Sequence, residues 1–167
     1  MTLAQKPFPV SGTCEAQVRG EREAVVAAAR KWVGTPYHHM ADIKGVGVDC
    51  AMILVRVYVD LGLVEAFDPR PYPHDWMLHR DDERYLGFLF DRARQADPST
   101  GSGPRPGDVM MFKVGRCFAH GAIITTTDPL RIVHAYASAG MAIEEEPMRN
   151  SELSRRQHKF FSLWSEA

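Results

Sequence analysis

Hydrophobic and polar positions alternate with two different periods along the chain. From Glu21 to Trp32 the apolar residues Val25, Val26, Ala29 and Trp32 recur at helical spacing, and Gly34 followed by Pro36 predicts the stop. Tyr37 to Asp49, with Gly45 and Gly47, reads as a loop. Ala51 to Leu63 is apolar nearly all round, broken by Arg56, Asp60 and Gly62, which predicts a buried helix. Asp49 is placed to cap it and Gly62 to close it, so Cys50 falls in its first turn. Phe67 to His79, with Pro69, Pro71 and Pro73, predicts an ordered excursion, Glu83 to Gln95 a helix, and Asp97 to Gly107 a linker. The period then switches to two. Asp108–Val114, Phe118–Thr126, Arg131–Ala137, Met141–Glu146 and Lys159–Trp164 read as strands, with turns at Asp128-Pro129 and Ala139-Gly140. Helices followed by antiparallel strands predict an α+β fold. Residues 1–19 show no periodicity and read as a loose leader before a single domain over 20–167.

Composition narrows the function. The 167 residues carry 20 basic and 21 acidic side chains, without the basic surplus that a nucleic-acid protein shows. No apolar run approaches the roughly 18 residues of a membrane helix. No charged segment leads into an apolar one at the N-terminus, so cytoplasmic synthesis without a signal peptide is expected. Three cysteines, Cys14, Cys50 and Cys117, are too few for a disulfide framework, and isolated cysteines beside seven histidines raise the question of a thiol nucleophile.

Cys50 answers that question only in company. A helix N-terminus stabilises a thiolate through its free amides and dipole, yet a cysteine on an apolar helix is more often plain core. His120 and His134 lie on consecutive strands joined by Thr127-Asp128-Pro129. If Thr126 pairs with Leu130, His120 falls opposite Tyr136 and His134 is its diagonal neighbour, about 7–8 Å away on the same face. A shift of one residue sends them to opposite faces. On the first register, and with the cysteine helix packed over that face, Cys50, His120 and His134 form a nucleophile, a base and an orienter, with a backbone amide at the helix start facing the developing oxyanion. No metal site is expected: Cys117 and His120 fall on opposite faces of a regular strand, and no four-ligand zinc spacing occurs. Glu144-Glu145-Glu146 reads as a solvated strand end. Cys14 and Cys117 carry no role.

Several stretches in order carry a resemblance: Trp32-Val33-Gly34-Thr35-Pro36-Tyr37, Gly47-Val48-Asp49-Cys50, Pro106-Gly107-Asp108-Val109, His120-Gly121-Ala122-Ile123 and Ile132-Val133-His134-Ala135. Together they resemble the NlpC-type cell-wall cysteine peptidases (the NlpC/P-sixty superfamily) over roughly residues 20–165. Tyr37-His38-His39 with Lys44-Gly45-Val46-Gly47 is most similar to the bacteriophage and prophage branch, whose members sit with tail-assembly genes. The resemblance implies a papain-like α+β fold, with the nucleophile helix packed on an antiparallel sheet. It also implies hydrolysis of peptidoglycan stem peptides, commonly between D-γ-glutamate and a diamino acid, with no cofactor. By position Cys50 matches the nucleophile, His120 the base and His134 the third polar residue. Tyr37 matches a tyrosine shaping the substrate or oxyanion site, and Asp49 an acidic residue that contacts a free amine of the substrate. The cap reading of Asp49 competes with that role.

The chain departs from the pattern in two places. Ala51-Met52 stands where relatives have Ser-Gly, and the segment at 68–105 is an insertion. Implied partners are the stem peptide and phage tail proteins, and the implied site of action is the cell wall, with association with a virion as the expectation from the phage branch. Two other classes stay open: a catalytically silent tail-tip module of the same fold, and a papain-like acyltransferase or amidase.

Overall fold

The computed structural model describes residues 15–73, 91, 94–96 and 103–164. Helix α1 (Glu15–Arg30) buries Val25, Val26 and Ala29, as the periodicity predicts, but it begins at Glu15 rather than Glu21. Its first turns are polar and largely exposed, so no hydrophobic pattern marks them. Glu15 in the first turn and a Gln17–Glu21 hydrogen bond of 2.9 Å support them instead. The loop expected between the helices contains a small hairpin, β1 (Asp42–Ile43) with β2 (Gly47–Val48). Gly47 is needed there because a Cβ would sit 2.8 Å from the His38 ring.

Helix α2 (Cys50–Asp60) buries Met52, Ile53, Leu54, Val55, Val57 and Tyr58. It ends at Leu61, and Gly62 takes the left-handed turn beyond it at φ +70°. Strands β3 (Arg94–Ala96), β4 (Val109–Val114), β5 (Cys117–Thr127), β6 (Leu130–Tyr136), β7 (Met141–Glu145) and β8 (His158–Ser162) follow. They form one antiparallel sheet in the order β3-β8-β4-β5-β6-β7. The α+β, papain-like architecture expected from the sequence is therefore present, with the Cys50 helix packed over β5 and β6. The helix expected over 83–95 does not hold at its C-terminal end. Arg94 and Gln95 pair with Ser162 and Phe161 at the open edge of β8, a partner invisible to local propensity. The rest of that segment, apart from Asp91, lies outside the described residues, as do 1–14, 74–79 and 97–102.

The sheet has two unlike faces. Met111, Ile123, Val133, Ala135 and Phe161 pack beneath α1 and α2 in the main core. Met110, Phe112, Ala122, Ile124 and Ile132 form a smaller cluster on the other face with Leu153 and Phe160. Arg22 ties α1 to the sheet margin. Its guanidinium lies 2.7 Å from buried Asp108 and also bonds Pro106 O and Ser162 Oγ.

Two β-bulges decide what each face carries. At the β5–β6 turn the pairs are Thr127↔Leu130 and Thr126↔Arg131, one residue off the register that aligns the histidines. Thr125 is the extra residue, and beyond it Ile124↔Ile132 and Ile123↔Val133 restore that register. Without the bulge His134 would face the helices while His120 faced away. A second bulge at Ala119 separates Lys113↔Phe118 from Phe112↔His120. It puts Cys117 and His120 on the same face, correcting the expectation of opposite faces from regular alternation.

Candidate active site

Cys50 is the first residue of α2, and Asp49 holds the start of that helix. Asp49 Oδ1 accepts from Ala51 N at 3.1 Å and Met52 N at 2.9 Å. Its Oδ2 accepts from Met40 N at 2.7 Å, and the Tyr72 hydroxyl donates across both oxygens at 2.9 and 3.1 Å. The His39 ring stands 3.5 Å from Oδ2 and bonds Tyr72 O through its other nitrogen. A carboxylate offers about four lone-pair sites, and four donors from the chain already fill them. Asp49 is 2% exposed. The geometry is that of a buried cap, with no lone pair left for a substrate amine. Tyr72 was not legible as a site residue; its place between Pro71 and Pro73 was the only signal.

Tyr37 is half-buried beside Cys50 and Asp49. Burial, reinforced by those two groups, pushes its phenol well above the usual range, so it is a neutral hydroxyl at physiological pH. Its amide bonds Gly140 O, and Pro36 bridges to Met141, which fixes the segment against the end of β7.

The structure brings His120 and His134 together, but on the sheet face turned away from the helices. This corrects the expectation that the Cys50 helix packs over the histidine face; Cys50 meets this strand at the Ala119 carbonyl. His120 Nε2 lies 2.7 Å from His134 Nδ1, and both rings pack against Tyr136. His134 is fully buried, and its Nε2 meets Glu145 Oε1 at 3.0 Å. Asn150 Nδ2 donates to the same oxygen at 2.8 Å. The three glutamates are thus not one solvated strand end. Strand alternation sends Glu144 to the helix face, bonded to Arg30 and Thr125, and Glu145 to the histidine face. Glu145 is the polar group that sequence reasoning missed, because its partner lies on a neighbouring strand.

Protonation follows from these contacts. Burial first, then the nearby basic groups His134 and Arg156, hold His120 well below the ordinary histidine value, so it is neutral at pH 7. The His134 hydrogen bond, helped by Asn150, keeps Glu145 below its usual value and ionised. Among the described residues Arg22 Nε is the sole buried side-chain nitrogen or oxygen without a partner. Among the described residues His120 Nδ1 has no hydrogen-bond partner.

The thiol meets β5 at the backbone flanking His120. Cys50 Sγ contacts the carbonyl of Ala119, the bulged residue, at 3.8 Å. Burial and the adjacent Asp49 carboxylate push the thiol up to about 12, against the amides of Gly121, Cys50 and Ala51, which favour the thiolate. At rest the proton sits on sulfur and the imidazole is neutral. Cys117 is a buried free thiol. Among the described residues no group of three or more His, Cys, Asp or Glu could hold a metal ion, and no helix is long and apolar enough to cross a membrane.

No protein-family model matches the sequence, and no curated protein matches it. Solved structures do share the fold. The NlpC/p60 domain of the peptidoglycan hydrolase SagA matches 84% of this chain and 97% of its own, with a TM-score of 0.56 and 18% identity. An N-acetylmuramoyl-L-alanine amidase from Bacteroides uniformis matches 86% of this chain and 98% of its own, with a TM-score of 0.55 and 11% identity. The chain has the fold of cell-wall hydrolase domains of the NlpC/p60 type.

Proposed function

We propose that this protein is a cysteine peptidase of the bacterial cell wall, hydrolysing amide bonds of peptidoglycan stem peptides. The observation that carries the reading is the helix-terminal Cys50 thiol set against the β5 backbone beside His120, a neutral imidazole held through one nitrogen and open at the other. His120 Nδ1 takes the proton from Sγ as the sulfur attacks the amide carbon, forming a tetrahedral oxyanion. The amides at the start of α2 and the neutral Tyr37 hydroxyl are donors suited to that oxyanion. Collapse breaks the C–N bond, and the imidazolium returns its proton to the leaving amine. Water, deprotonated by the same imidazole, then releases the acid from the thioester. The scissile bond is the D-γ-glutamyl–diamino acid amide. The chain is encoded by a phage or prophage, acts at the wall and works alongside tail proteins.

A silent module of the same fold is the second reading, favoured by the raised Cys50 thiol and by Ala51-Met52 after it. Mass spectrometry of diaminopimelate-type wall fragments with wild type and Cys50→Ala separates the two. A shortened stem peptide from the wild type alone is the expected result. Intact fragments with both proteins overturn the peptidase reading, and new amides formed with added amines point to an acyltransferase.

A further inference from the structure

The hydrogen-bond chain that starts at His120 does not stop at His134, and its far end has a defined polarity. Asn150 Oδ1 accepts two backbone amides, Glu152 N at 2.9 Å and Leu153 N at 3.1 Å, at the start of the short helical turn over Leu153–Arg155. Its Nδ2 must therefore be the end that points at Glu145. Glu145 is an ionised carboxylate and can only accept, so His134 Nε2 carries a hydrogen. In a neutral His134 the other nitrogen, Nδ1, is then the acceptor, and His120 Nε2 must donate to it. The remaining nitrogen, His120 Nδ1, is left with its lone pair. Every proton in the line from Asn150 to His120 is set from the Glu145 end.

We propose that Glu145, anchored by Asn150, is a positioning residue that fixes the tautomers of both histidines and so makes the open nitrogen of His120 the base. This rests on the peptidase reading for its catalytic meaning, though the proton pattern itself does not. Among the described residues the other charged and titratable groups near the two rings are Cys50, whose thiol contacts Ala119 O, Arg156, which bonds Lys113 O, Tyr136, which is bonded to Glu152, and His158, which packs on Phe112. None of them hydrogen-bonds either imidazole, so none can set a tautomer.

The test uses the full chain and two variants. Imidazole 15N NMR at pH 7.5 should show both His120 and His134 as Nε2–H tautomers in the wild type. Glu145→Gln can still accept both hydrogens through Oε1 and should keep that pattern. Glu145→Ala should mix the tautomers at both rings. Alkylation of Cys50 by iodoacetamide should slow about tenfold in Glu145→Ala and less than threefold in Glu145→Gln, the scale of an outer-shell carboxylate lost or conserved. A wild-type His120 protonated on Nδ1, or a Glu145→Ala spectrum identical to wild type, overturns the proposal. The spectra need no substrate, so a wild type with the expected tautomers and no hydrolysis of wall fragments overturns the peptidase reading alone.

Discussion

Two polar clusters flank Cys50, and they are built to different ends. The Asp49 cluster is closed: two helix amides, the Met40 amide and the Tyr72 hydroxyl fill the carboxylate, and the group is almost fully buried. The histidine cluster is open at one end, running from Asn150 through Glu145 and His134 to a nitrogen of His120 without a hydrogen-bond partner among the described residues. A satisfied network holds the chain in one arrangement, whereas a network with one free acceptor can take a proton. The first cluster places the start of α2, and the second is where the proposed peptidase reading puts the proton transfer.

That contrast predicts separable effects. The largest is on activity: Cys50→Ala or His120→Ala should each lower wall-peptide turnover by roughly 10⁴-fold or more, while urea unfolding midpoints stay near wild type. Asp49→Ala should instead act on stability, by roughly 3 kcal/mol in urea unfolding, from a lost cap plus buried donors left unpaired. If Asp49→Asn raises KM strongly with an unchanged unfolding midpoint, Asp49 touches substrate and the closed-cluster description fails.

Acid should loosen the histidine cluster next. Folded His120 binds its proton well below the ordinary value of 6.5, so below 6.5 the unfolded chain takes up a proton that the folded chain refuses. Its contribution is complete above 6.5 and declines as the pH falls, by up to roughly 1.4 kcal/mol per pH unit for one proton. Glu145 adds a loss of the same sign at lower pH, as the medium passes its depressed value. Urea unfolding at pH 7, 6 and 5 should show the decline, and His120→Gln should flatten its upper part.

The smallest effect belongs to the neighbouring glutamate. Arg30→Ala breaks the exposed Arg30–Glu144 pair and should cost under about 1 kcal/mol, less in high salt, with no change in hydrolysis. A large loss of activity there would show that the two faces of the sheet are coupled.

Much of this site was legible from local pattern. Asp49 one residue before an apolar run specified a cap and put Cys50 at the helix start, and the alternating strands gave an α+β sheet behind it. The conditional hairpin register suggested the grouping of Cys50 with His120 and His134, and the resemblance in residue order matched it. The polar first turns of α1 were not legible, because nothing in them is buried. The Arg94–Ala96 strand was not legible either, because it is recruited by the free edge of β8.

The sequence by itself determined what depends on neighbours a few positions away: the cap, the helix that carries Cys50, and the period-two strands that carry the histidines. Tertiary structure alone decided what depends on where a distant segment returns. The bulge at Thr125 put both histidines on one face. The return of Tyr72 and Met40 closed the Asp49 carboxylate. The register of β7 against β6 brought Glu145 to His134. The reason is physical: helix and strand periods are properties of the local backbone. A one-residue bulge or a hydrogen bond between strands is chosen by the packing of the whole sheet.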